Sequence, residues 1–199
     1  RGKVFLQQHH IPIDFVLYVG NAYPHKNLEV LLDVAAELKK NHSPLSIVLV
    51  GRPDYFYDRL QEEAQRRQVA DRVIFPGFVS DADLSCLYSR AVCYVFPSKY
   101  EGFGLPPLEA MLYDTPVVAA RTSCIPEVLG EAALYFESGD VSGIIANIEQ
   151  VRTDPQMRAR LAQAGRNQAD KYSWRTLAEQ TKQIYHQLGQ SIQTKKHQN

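Results

Sequence analysis

The segment FVLYVGNAYPHKNLEVLLDVAAEL, residues 15–38, decides the fold. It opens with five apolar residues, 15–19, that end at Gly20. After a polar loop, apolar residues return at helical spacing: Leu28, Leu31, Leu32, Ala35 and Leu38. A short continuous apolar run is typical of a buried strand, and the spacing of three and four residues is typical of an amphipathic helix. The segment therefore predicts a strand, a loop and a helix.

The same alternation continues along the chain. Further apolar runs lie at 46–50, 72–75, 92–96, 116–119 and 133–136, and helical patterns at 54–68, 83–89, 107–113, 141–152, 155–172 and 174–188. Continuous apolar strands between helices indicate a parallel sheet that is covered on both faces. We therefore predict an α/β fold, a Rossmann-like doubly wound parallel sheet with helices on both faces.

Length and composition limit the classes of protein. A chain of 199 residues with 45% hydrophobic content is long enough for one core, so residues 1–188 are predicted to form one domain and residues 189–199 a polar tail. The 22 basic residues balance the 22 acidic ones, which argues against a nucleic-acid partner. Three scattered cysteines and no apolar run of ~20 residues favour a cytoplasmic protein without a transmembrane segment, any contact with the inner face of the membrane being peripheral.

The most specific segment is EGFGLPPLE, residues 101–109, directly after the run that ends at Phe96. Gly102 and Gly104 let a ligand approach the main chain closely. The two prolines suit the first turn of a helix, whose free amides could bind a pyrophosphate. Glu109 is placed to accept hydrogen bonds from a diol such as a ribose.

This segment makes the chain resemble family 4 of the retaining glycosyltransferases, over residues 15–188. The resemblance implies one half of the two-domain GT-B architecture, the half that binds the nucleotide sugar. It also implies that Glu101 contacts hydroxyls of the donor sugar, that amides around Phe103 to Leu105 meet sugar and phosphate, and that Glu109 holds the ribose.

A second match to the family is YVGNAYPHKNL, residues 18–28, which contains the loop after the first strand. Gly20 allows a sharp exit from the strand, and Lys26 offers a point charge for a diphosphate. Many family members have an arginine where Asn21 stands and a glycine where Asn27 stands, and both the arginine and the lysine touch the diphosphate there. The resemblance therefore implies catalytic roles for Glu101 and Lys26 and leaves a second phosphate ligand open.

Two further loops lie at the same predicted rim. Arg52 either supplies the missing cation to phosphate or pairs with a surface carboxylate. The loop FPGFVS, residues 75–80, resembles the family's base-binding loop, where the main chain at Val79 meets the nucleobase. The alternative for that loop is a plain turn with a helix cap at Ser80 or Asp81.

The resemblance implies transfer of a sugar from a nucleotide-diphosphate sugar to a hydroxyl acceptor, with retention, in surface polysaccharide or glycan synthesis. GDP-mannose is favoured over a UDP-sugar. No cofactor and no metal ion are expected. The partners implied are the donor and the protein's own N-terminal acceptor domain, which has no counterpart here, so the fragment alone is expected to be inactive. The alternative is a non-catalytic α/β nucleotide-binding or scaffold module.

Overall fold

The computed structural model describes the backbone of residues 2–196 and the side chains of residues 4–188. Its strands are β1 Phe15–Val19, β2 Ser46–Val50, β3 Val73–Gly77, β4 Cys93–Phe96, β5 Val117–Ala120 and β6 Ala133–Phe136. They form one parallel sheet in the order β3-β2-β1-β4-β5-β6. This order confirms the predicted Rossmann-like doubly wound sheet.

Nine α-helices occur within residues 2–196. They are α1 Gly2–Gln8, α2 Glu29–Lys40, α3 Tyr55–Arg66, α4 Asp81–Arg90, α5 Leu105–Leu112, α6 Ile125–Leu129, α7 Val141–Thr153, α8 Pro155–Ala169 and α9 Trp174–Lys196. Helices α1 and α6 were not predicted, because seven and five residues are too few to show a helical period.

The core lies between the sheet and its helices. Every residue of β2, β4 and β5 is buried, because helices cover both faces of the sheet. Helix α2 turns its predicted apolar stripe inward, burying Leu31, Leu32, Ala35 and Leu38. The buried residues of the strands and the helices therefore form one continuous apolar core.

The last helix departs from the prediction. α9 runs to Lys196, past the expected end at residue 188, so the predicted polar tail 189–199 is helical as far as Lys196, and residues 197–199 lie outside the described residues. The side chains of residues 174–180 are all exposed, and Trp174 is 79% exposed. α9 therefore leaves the core in which α8 is still packed.

The strand order places a crevice between the loops that follow β1 and β4. From β1 the chain moves outward to β2 and β3, and then returns to β4 on the other side of β1. The loops that leave β1 and β4 therefore separate in opposite directions. In open α/β sheets ligands bind at this switch point, outside the carboxyl ends of the strands.

Candidate functional site

Two loops form the crevice, residues 20–28 after β1 and residues 97–104 after β4. They face each other because β1 and β4 are neighbours in the sheet. Lys26 lies on the first loop and Glu101 on the second. The structure thus brings together the two residues for which catalytic roles were expected.

Lys26 and Glu101 form an ion pair. Lys26 Nζ lies 2.6 Å from Glu101 Oε1, and the two side chains are only 15% and 12% exposed. Lys26 Nζ also lies 5.8 Å from the centre of the Phe96 ring. Since water screens a largely buried pair less than a surface pair, the attraction between these two charges is stronger than in an exposed ion pair. A positive and a negative group therefore stand side by side at the point where the fold places ligands.

Two hydrogen bonds join the loops beside this pair. The amide of Lys99 donates to the carbonyl of His25 at 2.8 Å, and Asn27 Nδ2 donates to the carbonyl of Pro97 at 3.3 Å. Asn27 is buried and has a left-handed backbone, with φ 57° and ψ 38°. Asparagine adopts this conformation more readily than most residues, which explains how it can replace the glycine that many family members have.

The Glu101 loop is held from the start of α6. Ser123 Oγ donates to the Glu101 carbonyl at 2.7 Å and accepts from the Glu101 amide at 3.4 Å. Cys124 Sγ donates to the same carbonyl at 3.2 Å. A Cβ on Gly104, which has φ 93°, would lie 2.8 Å from Ile125 Cδ1. The position of Glu101 therefore depends on residues that follow β5.

The start of α5 offers fewer amides than predicted. Gly104 is the N-cap, and the helix begins at Leu105 with Pro106 and Pro107 next. Because proline has no N–H, the first turn presents only the Leu105 amide. Within the described residues, the amides of Phe103, Gly104 and Leu105 donate no hydrogen bond. Amides are available to a ligand here, but they come mostly from the loop before the helix.

Two glycines bring the ends of β1 and β2 together. A Cβ on Gly20 would lie 2.7 Å from the Tyr18 hydroxyl oxygen. A Cβ on Gly51 would overlap the Gly20 carbonyl oxygen and the Tyr57 hydroxyl. The predicted role of Gly20 as a sharp exit thus extends to Gly51, which the sequence patterns did not single out.

The remaining predicted residues lie on neighbouring loops. The Arg52 guanidinium lies 5.5 Å from the centre of the exposed Phe78 ring, and no described carboxylate forms an ion pair with it. The Val79 side chain is buried, which leaves its main chain for contacts. Glu109 accepts from the Tyr88 hydroxyl at 3.3 Å. Burial, followed by the Glu109 charge, raises the pKa of Tyr88, so this hydroxyl stays protonated and donates.

Comparison with known proteins identifies the family. The family model described as glycosyl transferases group 1 matches residues 10–168. The chain belongs to the group 1 glycosyl transferases.

Curated relatives of this group 1 chain include three named enzymes. The O-antigen chain mannosyltransferase B of Escherichia coli is 36% identical over 172 residues, which are 86% of this chain and 45% of the relative. RfbU of Salmonella typhimurium, an O-antigen chain mannosyltransferase, is 36% identical over 69% of this chain and 39% of the relative. The glycogen synthase of Mycobacterium tuberculosis is 30% identical over 85% of this chain and 42% of the relative. The chain spans less than half the length of each of these.

Solved structures of similar proteins agree with the fold. Sucrose-phosphate synthase of Thermosynechococcus elongatus has a TM-score of 0.80 and 29% identity, over 95% of this chain and 49% of that one. Anabaena HepE, solved in complex with UDP-glucose, has a TM-score of 0.81 over 94% of this chain and 52% of that one. At an identity of 22%, this likeness shows a shared fold only.

Among the helices within residues 2–196, none has both the length and the hydrophobicity that crossing a membrane requires.

One acidic motif of this group 1 chain lies directly after the loop of residues 75–80. Asp81-Ala82-Asp83 has the D-x-D spelling that often indicates a metal site. In the structure it forms the first turn of α4, where Ser80 Oγ donates to Asp83 Oδ2 at 2.7 Å and accepts from the Asp83 amide at 3.3 Å. Ser80 is thus the predicted helix cap, and the Asp83 carboxylate accepts a hydrogen bond from the capping hydroxyl.

Proposed function

We propose that this chain is the donor-binding domain of a retaining glycosyltransferase, which transfers a sugar from a nucleotide-diphosphate sugar to a hydroxyl acceptor. The observation that carries the proposal is the ion pair of Lys26 and Glu101 at the switch point of the sheet. Membership of the group 1 glycosyl transferases supports it. The donor diphosphate would lie in the crevice between the loops after β1 and β4.

The two residues of the pair would take different parts of the donor. Glu101 would accept hydrogen bonds from hydroxyls of the sugar, and Lys26 Nζ, with three N–H donors, would turn toward the diphosphate. As the sugar leaves, negative charge grows on the diphosphate, and a cation already fixed nearby stabilises the transition state. In front-face displacement the departing phosphate would also accept the proton of the acceptor hydroxyl. This scheme requires no metal ion.

Neighbouring groups would hold the rest of the donor. The amides of Phe103, Gly104 and Leu105 would meet sugar and phosphate, and Arg52 would approach the diphosphate from the loop after β2. Glu109 would accept from the ribose, and the main chain at Val79 would meet the base. Gly102 and Gly104 would let the sugar approach the backbone.

GDP-mannose is the proposed donor, with a UDP-sugar next. The names of the Escherichia coli and Salmonella relatives, both mannosyltransferases of O-antigen chains, favour mannose and a role in surface polysaccharide synthesis. The glycogen synthase relative and the UDP-glucose complex of HepE are the reason to keep other donors in the comparison. The acceptor would be held by a second domain of a longer, cytoplasmic protein.

Calorimetric titration of the chain with GDP-mannose, UDP-glucose and ADP-glucose tests the proposal. We expect the tightest binding for GDP-mannose, and a loss of about tenfold for Lys26→Ala and for Glu101→Ala, since each removes a charged partner worth about 1.4 kcal/mol. Lys39→Ala is the matched control, because Lys39 forms an exposed ion pair with Asp71 at 2.7 Å and neither residue belongs to the loops of the crevice. Unchanged affinities in both crevice variants would favour a scaffold module instead.

A further inference from the structure

Three tyrosine hydroxyls bind three consecutive carbonyls at the end of β1. We call Tyr18, Tyr57 and Tyr94 the tyrosine triad; they come from β1, α3 and β4. The hydrogen bonds run from Tyr94 to Val19 O at 3.1 Å, from Tyr57 to Gly20 O at 2.9 Å and from Tyr18 to Asn21 O at 2.8 Å. Three elements of the core therefore fix the orientation of three successive peptide groups.

The triad is a buried and protonated layer. Tyr18, Tyr57 and Tyr94 are 1%, 2% and 0% exposed. Burial is the main cause that raises the pKa of each of them above its ordinary value. Tyr57 further raises the pKa of Tyr18, and Tyr88, followed by Tyr18, further raises that of Tyr94. All three therefore remain O–H donors to the loop.

Planarity of the peptide bond then fixes where two amides point. In a trans peptide the N–H is directed opposite to the preceding C=O. The carbonyls of Gly20 and Asn21 point at the triad, so the amides of Asn21 and Ala22 point away from it. Unlike the Gly20 amide, which donates to Val50 O at 3.0 Å, neither of these two amides donates a hydrogen bond within the described chain.

We propose that the Asn21 and Ala22 amides form an anion-binding site for the donor diphosphate, kept in orientation by the tyrosine triad as positioning residues. This inference rests on the proposed function. Successive outward N–H groups attract anions, and Lys26 lies on the same loop. The backbone thus supplies hydrogen-bond donors where the Asn21 side chain carries no charge. The buried tyrosine hydroxyls orient these donors by binding the carbonyls of the same peptide groups.

Tyr57→Phe tests the site, because it removes one donor to the loop and keeps the ring. Tyr135→Phe is the matched control, since the Tyr135 hydroxyl also donates to a glycine carbonyl, Gly130 O at 2.7 Å, beside the edge strand β6. Calorimetry with inorganic pyrophosphate and with GDP should show about five- to tenfold weaker binding for Tyr57→Phe and no change for Tyr135→Phe. Guanosine, which has no phosphate, should bind both variants equally.

Amide resonances of ¹⁵N-labelled protein give the direct readout. Pyrophosphate should move the amide protons of Asn21 and Ala22 downfield in the unchanged chain, and less in Tyr57→Phe. Thermal unfolding checks that the variant folds, and Tyr18→Phe, which removes the donor to Asn21 O, replaces it if it does not. Unmoved Asn21 and Ala22 resonances, with Tyr57→Phe binding as well as Tyr135→Phe, would overturn the site and leave the proposed function standing. A chain that binds neither pyrophosphate nor GDP would overturn both.

Discussion

Glu101 owes its position to a neighbour that is distant in sequence. Ser123 forms two hydrogen bonds with the backbone of Glu101, and its own backbone is left-handed, with φ 52°. A serine in that conformation is held there by its surroundings. The placement of the carboxylate in the crevice therefore depends on the turn between β5 and α6.

The first prediction concerns Ser123→Ala. The change removes both hydrogen bonds between Ser123 and the Glu101 backbone, so the carboxylate should be held less firmly in the proposed sugar site. We expect affinity for GDP-mannose to fall about five- to tenfold while affinity for GDP changes little, as measured by calorimetry.

Ser85→Ala is the control for this prediction, because Ser85 Oγ bonds only within its own helix, to Ala82 O at 2.8 Å. Equal losses for GDP and GDP-mannose in Ser123→Ala would show that Ser123 does not act through the sugar side of the site.

Sequence motifs identified some of these residues and could not identify others. Lys26 and Glu101 were singled out through the family resemblance of the segments around them, and the structure places them together in the crevice. Ser123 and the tyrosine triad were not, because a hydroxyl's partner is decided by packing between elements far apart in the chain. The deficit of amides at α5 could have been found from the sequence, since Pro106 and Pro107 have no N–H.

At the scale of elements, α3 links the core to the crevice. Asp54 Oδ1 caps the helix by accepting from the amides of Phe56 and Tyr57, each at 3.0 Å. The cap therefore sets the start of the helix that carries one member of the tyrosine triad. Through the hydrogen bond from Tyr57 to Gly20 O, α3 is joined to the loop after β1.

The second prediction is that Asp54→Ala lowers the free energy of unfolding by about 1 kcal/mol, because two amides at the helix start lose their acceptor. Glu62→Ala, an exposed acidic residue on the same helix, should stay within about 0.5 kcal/mol. Urea unfolding measures both. If the two variants are equally stable, the cap contributes nothing.

Elements were predicted well where periodicity was strong. The strands coincide with continuous apolar runs, which are typical of a sheet covered on both faces. Helix α2 coincides with apolar residues at the spacing of an amphipathic helix. The end of α9 was missed because residues 189–196 are mostly polar and show no apolar helical period in the sequence. The alternation of strands and helices predicted a parallel sheet, and the strand order that makes the crevice came only with the structure.

At the scale of the whole molecule, buried tyrosines make the fold sensitive to alkali. The pKa values of Tyr18, Tyr57, Tyr88 and Tyr94 are all raised, chiefly by burial. Below pH 10 both the folded and the unfolded chain keep these protons, so stability is unaffected. Above pH 10 the unfolded chain loses them while the folded chain retains them, which favours unfolding.

The third prediction is that the free energy of unfolding falls as pH rises above 10, and that Tyr57→Phe makes this fall shallower by about 1.4 kcal/mol per pH unit, the contribution of one proton. Tyr185→Phe is the control, because it makes the same change at a tyrosine that is exposed in the folded chain. Urea unfolding at a series of pH values gives the slopes. Parallel curves for Tyr57→Phe and the unchanged chain would contradict the assignment of Tyr57 as a buried, protonated donor.

The fourth prediction concerns activity. Because the chain spans less than half the length of the curated relatives described above, we expect no measurable sugar transfer from GDP-mannose by these 199 residues alone. Radiolabelled mannose transfer to simple acceptors measures this. Turnover by the chain alone would show that it holds an acceptor site of its own.

A crystal structure of this chain with GDP tests the position of the donor site most directly. We expect the diphosphate between the loops after β1 and β4, with a phosphate oxygen about 2.7–3.2 Å from Lys26 Nζ. GDP bound instead in the cavity of about 650 Å³ lined by Arg121, Tyr135 and Arg160 would contradict it.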